Sequence, residues 1–116
     1  MEWKKAPQEL TDWLAERMKR FPAEQRPMFG CPTWFHNGNM FASVHGGMIM
    51  MRLRPSDQAD MMRQFKEVRP FVAVNGRPMK EYVMFSEELF PRTDELMPWF
   101  EKGFEFLMTL PAKKTK

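Results

Sequence analysis

Two dipeptides, Asn37-Gly38 and Gly46-Gly47, break the stretch after Met28 into short segments and constrain the fold more than any other feature. A two-residue type I′ turn needs φ > 0 at both central positions, and Asn-Gly and Gly-Gly reach that conformation at the least steric cost. Such turns join antiparallel neighbours. The sequence therefore predicts strands near 28–36, 39–45 and 48–53. A third signal, Asn75-Gly76-Arg77-Pro78, lies between the apolar runs 71–74 and 79–85 and predicts another hairpin. Its register stays open: a two-residue Asn-Gly turn puts Pro78 inside the strand, and a four-residue loop does not. Gly30 also reads as a turn or bulge residue.

The segments around the strands have helical spacing. Leu10, Trp13, Leu14 and Met18 form one apolar stripe, Pro7 suits a first helical turn, and Phe21-Pro22 cannot continue it, so a helix is predicted over 7–20. Pro55-Ser56-Asp57 opens a second helix carrying Met61, Met62 and Phe65, which Arg69-Pro70 breaks. Ser86-Glu87-Glu88-Leu89 reads as a short capped turn. A last helix carries Leu96, Phe100, Phe104 and Leu107, with Thr93 as its expected cap and Pro98 in or near its first turn. The order is α-β-β-β-α-β-β-α. That order predicts a two-layer α+β domain, with an antiparallel sheet of about five strands and helices on one face.

Composition narrows the class. A chain of 116 residues with 43% hydrophobic and 28% charged residues makes one globular domain, expected over 1–110. A basic tail over 111–116 is expected to be unstructured. There is no apolar run long enough to span a bilayer and no secretory leader after Met1-Glu2-Trp3-Lys4-Lys5, so no membrane association is expected. The single cysteine, Cys31, fits a reducing cytoplasm. The net charge of +3 is matched by Lys113, Lys114 and Lys116 in the tail, which leaves the body near neutral and argues against direct nucleic-acid binding.

With two-residue turns, counting sets the faces of the sheet. Trp34 is expected opposite Phe41, Cys31 opposite Val44, and Phe41 opposite Arg52. One face then holds Cys31, Thr33, Phe35, Met40, Ala42, Val44, Ile49, Met51 and Leu53, and is expected to be the core. The other holds Trp34, His36, Phe41, Ser43, His45, Met48, Met50 and Arg52. That second face is too aromatic and too rich in methionine for an ordinary solvent face. Two readings stay open: a second core face covered by the chain termini or the last helix, or an interface, for a second copy or another protein, through Trp34, Phe41, Met48, Met50 and Arg52.

Catalytic and metal chemistry finds little support at this level. The counted register separates Cys31 from both histidines, so a thiolate nucleophile is not expected. His36 and His45 lie at opposite strand ends without a nearby carboxylate, so neither a metal nor any other cofactor is expected. No phosphate-binding glycine loop is present. An alternative site for an anion or small molecule combines Arg52, Arg77, Lys80 and Tyr82 around the third hairpin.

Arg26-x-Met28-Phe29-Gly30, Asn37-Gly38-x-Met40-Phe41-Ala42 and Gly76-Arg77-Pro78-Met79-Lys80-Glu81-Tyr82-Val83 follow one another in an order that resembles the TfoX N-terminal domain family. The resemblance spans nearly the whole chain and implies an α-β(3)-α-β(2)-α fold. It implies a bacterial, non-enzymatic regulatory domain. Named TfoX/Sxy proteins regulate natural competence with the cyclic-AMP receptor protein at promoters, and carry a second, C-terminal domain. This chain is expected to be a stand-alone N-terminal domain. The family contributes no catalytic residues.

Overall fold

Asn37 and Gly38 have φ of 51° and 80°, the left-handed backbone that a type I′ hairpin requires. In the computed structural model, which describes residues 8–28, 31–45, 47–72 and 78–112, this turn joins β2 (Cys31–His36) to β3 (Asn39–His45). His45 pairs with Met48 where β3 turns into β4 (Met48–Arg52). Beyond these lie β1 (Glu24–Met28), β5 (Arg69–Val72) and β6 (Pro78–Ser86). All neighbours are antiparallel in one sheet of order β1-β2-β3-β4-β6-β5. The sheet thus has six described strands, one more than expected. The segment read as a single strand over 28–36 is divided, with Met28 paired to Cys31 and Pro27 to Pro32. Neither proline has an N–H, so Pro27↔Pro32 is a non-hydrogen-bonded pair. Pro27 then leaves an outward gap in the donors of edge strand β1, which blunts that edge against unwanted pairing.

The register between β2 and β3 corrects the counted one. His36↔Asn39 and Phe35↔Met40 follow the turn, but Trp34 pairs with Ala42 and Thr33 with Ser43. Phe41 is the extra residue of a β-bulge. A one-residue shift exchanges the two faces of a strand. Trp34, Phe41 and Ala42 therefore face the helices with Val44, Ile49, Met51 and Leu53, while Cys31, Thr33 and Phe35 move to the opposite face. The driving force is visible in the packing. The fully buried Phe41 ring meets Phe21 at 5.3 Å, Phe104 at 5.3 Å and Phe100 at 6.4 Å, all in edge-on geometry. Each such pair adds about 0.5–1.5 kcal/mol to the hydrophobic gain, and a regular hairpin would forfeit them all.

The helical layer is α1 (Gln8–Met18), α2 (Pro55–Gln64), a 3₁₀ turn (Glu87–Arg92) and α3 (Thr93–Met108). Leu10, Leu14 and Met18 of α1 join Met61 of α2 and Leu96, Phe100, Phe104 and Leu107 of α3 in one core with the sheet. Trp13 stacks on Phe90 at 4.1 Å and donates its indole N–H to Thr93 Oγ1 at 3.2 Å, tying α1 to the start of α3. Thr93 is not a cap. The 3₁₀ turn runs straight into α3, so its N–H already bonds the Phe90 carbonyl, and its hydroxyl donates to that same carbonyl at 2.5 Å. Pro98 lies inside α3 but on its exposed side, where the carbonyl left without a donor faces solvent. Buried Gln58 donates to the Leu53 and Lys80 carbonyls, each at 2.7 Å, and clamps α2 across β4 and β6. Arg69-Pro70, expected to break α2, instead opens β5. The Asn75-Gly76 turn lies outside the described residues, although Val72 pairs with Pro78 around it. Pro111 is held by Asn39, whose side-chain N–H bonds its carbonyl at 3.0 Å.

Gly103 sets how closely α3 approaches the sheet. A Cβ there would lie 2.5 Å from the Arg52 carbonyl oxygen and 3.3 Å from the Phe41 ring. Glycine inside a helix ordinarily costs about 0.5–1 kcal/mol relative to alanine, so the close packing outweighs helix propensity here. Gly103→Ala is expected to lower stability by about 1–3 kcal/mol in urea unfolding. An unchanged or raised midpoint would show that α3 does not seat against β4 this closely.

Candidate functional site

The face of the sheet away from the helices carries the chemistry. Along β3 and β4 it presents His45, Ser43, Met48, Met50 and Arg52, and β6 extends it with Met84 and Tyr82, paired to Met50 and Arg52. Met50, Phe71 and Tyr82 form a small buried cluster separate from the main core, with Met40 and Met84 packed against it. Phe71 lies on this face by ordinary alternation: Arg69 pairs with Met84, and Phe71, two residues on, takes the same side. Its ring sits edge-on to His45 at 5.6 Å, although β6 and β4 separate the two strands in the sheet. The β5 edge therefore curls over the second face, as a strongly twisted sheet allows. Neither Phe71 nor Met84 was expected at the site, because the sequence left the register of the third hairpin open.

One end of the face is charged. Arg52 donates from Nε and Nη2 to Glu81 Oε1, at 2.9 and 2.6 Å, and its guanidinium carbon lies 5.2 Å from the Tyr82 ring centre. The cation–π partner of Arg52 is thus Tyr82. Burial pushes the Tyr82 phenol above its ordinary 10.0, Arg52 opposes this, and Glu81 adds to it. The anion site expected from Arg52, Arg77, Lys80 and Tyr82 is not assembled among the described residues. The charge of Arg52 is met by Glu81, Tyr82 is buried, Lys80 is exposed, and Arg77 lies outside the described residues.

The other end is polar and sulfur-rich. Thr33 and Ser43 are buried, with their hydroxyl oxygens 3.0 Å apart. Backbone carbonyls accept from them: Cys31 from the Thr33 hydroxyl at 3.0 Å and Pro32 from the Ser43 hydroxyl at 3.1 Å. Cys31 Sγ lies 3.8 Å from His45 Nδ1, so the two groups that the counted register separated share one corner of this face. Met48, the cross-strand partner of His45, is half-buried beside them. His36 belongs to the helix side, where its ring meets Phe104 at 5.0 Å. No group of three or more His, Cys, Asp or Glu side chains with metal-binding spacing exists among the described residues.

Of the five residues expected at an interface, Trp34 and Phe41 are 4% and 0% exposed within the helix-covered core and cannot meet a partner. Met48, Met50 and Arg52 do share the second face, with Met50 in its buried centre. This pattern of bulge, hairpins and helices spans the stretch matched by the model of the TfoX N-terminal domain, residues 15–107. The chain belongs to the TfoX N-terminal domain family. No curated protein matches the sequence. The TfoX N-terminal motifs at Asn37-Gly38 and Phe41-Ala42 are the turn and the bulge that set the two faces. Among the described residues, no helix is long and apolar enough to cross a membrane.

Because Tyr82 is the single tyrosine, tyrosinate absorbance reports it alone. A phenol whose folded-state value is raised contributes stability that is fully present below the unfolded value and is lost as pH rises through the folded one. The native midpoint is expected above 10.0 and should fall on denaturation, with stability declining above that pH. A native midpoint at or below the denatured one would contradict the burial of the phenol.

Proposed function

We propose that this chain is a non-catalytic, cytoplasmic regulatory domain that acts by binding another protein through the second face of its sheet. The observation that carries this reading is the separate cluster of Met50, Phe71 and Tyr82, with half-buried Met40 and Met84 around it and the Arg52–Glu81 pair at its edge. Methionine is flexible and polarizable, and surfaces rich in it accommodate protein partners. Apolar centres with charged rims also describe many protein interfaces. Membership of the TfoX N-terminal family supports a regulatory role connected with competence genes. The partner of choice is therefore the cyclic-AMP receptor protein with which named family members work. The near-neutral body of the chain favours protein over DNA as the target.

Phe41 lies in the main core, where a substitution would test folding and not binding. The half-buried rim is the correct target. The intact chain should form a complex with the cyclic-AMP receptor protein in a binding titration. Met40→Gln with Met84→Gln should weaken that complex by about tenfold or more while thermal melting remains cooperative. No complex, or one indifferent to these substitutions, overturns the reading. Salt-dependent retention of the isolated chain on DNA would also count against it.

A further inference from the structure

We propose that Cys31, His45 and Met48 form a binding site for a soft monovalent metal ion, Cu(I). The bulge at Phe41 brings the three together, because it turns Cys31 onto the face that already carries His45 and Met48. They form a row across β2, β3 and β4 at one end of the sheet. Cys31 Sγ and His45 Nδ1 stand 3.8 Å apart. With a sulfur–metal distance of about 2.3 Å and a nitrogen–metal distance of about 2.0 Å, one ion between them would subtend roughly 120–130°, close to a trigonal angle. Met48 is the cross-strand partner of His45, and directly opposed side chains have their Cβ atoms about 4.5–5.5 Å apart. Its thioether is the natural third ligand.

The donor set selects the ion. One thiolate, one imidazole and one thioether are soft or borderline donors, which favour Cu(I) over cations that want oxygen. No third His, Cys, Asp or Glu joins the pair among the described residues, so the four-ligand tetrahedral set typical of structural zinc is not offered. The surroundings hold the ligands in place. Thr33 bonds the Cys31 carbonyl at 3.0 Å, Ser43 bonds the Pro32 carbonyl at 3.1 Å, and Phe71 packs edge-on against the His45 ring at 5.6 Å. Such outer contacts orient metal ligands and control solvent access. Cys31 retains 8% exposure, and His45 and Met48 are half-buried, so the corner is reachable from solvent. Binding involves no redox step: the Cys31 thiol releases its proton to solvent, a sulfur–copper bond forms, and the imidazole and thioether donate lone pairs.

The test is an anaerobic titration of the intact chain with Cu(I) against a chromogenic Cu(I) chelator. One ion per chain is expected, with a rise in melting temperature. Cys31→Ser should abolish binding. His45→Gln and Met48→Leu should each weaken it by about tenfold or more, and Met84→Leu, on the same face but away from the row, should leave it unchanged. Cooperative melting of each apo variant separates ligand loss from unfolding. Binding that survives both His45→Gln and Met48→Leu would mark an ordinary thiol contact and overturn the site. So would failure to compete at one equivalent, or equal weakening by Met84→Leu.

Discussion

One extra residue in β3 decides which side of the sheet every group in β2 occupies. Phe41 is that residue. It is drawn toward the helices because its ring completes an aromatic cluster with Phe21, Phe100 and Phe104. The hairpin turn at Asn37-Gly38 keeps its two-residue form, so the accommodation falls within the strand between Trp34 and Phe35. From that shift follow the burial of Trp34 in the helix-side core and the meeting of Cys31 with His45.

The two faces that result differ in purpose. The helix face is a continuous core in which aromatic rings, methionines and aliphatic side chains from all three helices pack on the sheet. The second face is narrower and graded, from sulfur and imidazole at the Cys31 end, through the Thr33–Ser43 hydroxyls and the methionine cluster, to the Arg52–Glu81 pair. Every buried side-chain nitrogen and oxygen among the described residues has a hydrogen-bond partner, so the polar groups on this face are part of a satisfied structure and not packing faults.

Much of the architecture was legible in the sequence. The α+β class, the helical stripes and the hairpin at Asn37-Gly38 follow from periodicity and turn chemistry, which are local. The bulge was not legible, because nothing in Met40-Phe41-Ala42 departs from strand-like composition. What selects it is Phe41's contact with residues of α3 some sixty positions away. Counting from the turn therefore placed Ala42, Val44, Ile49, Met51 and Leu53 on the correct face and put Cys31, Thr33 and Trp34 on the wrong one. The proposed interface lost Trp34 and Phe41 for the same reason and kept Met48, Met50 and Arg52. β1 went unseen because Glu24-Gln25-Arg26-Pro27 is an exposed edge with no apolar alternation, and Phe71 because the register of the third hairpin stayed open.

The direct measurement is the β2–β3 register in solution, read from cross-strand nuclear Overhauser contacts. The bulged sheet predicts backbone contacts of Thr33 with Ser43 and of Trp34 with Ala42, beside Phe35 with Met40 nearer the turn. Contacts of Thr33 with Ala42 and of Cys31 with Val44 would mean a regular hairpin. They would return Cys31 to the helix side and contradict the account of both faces.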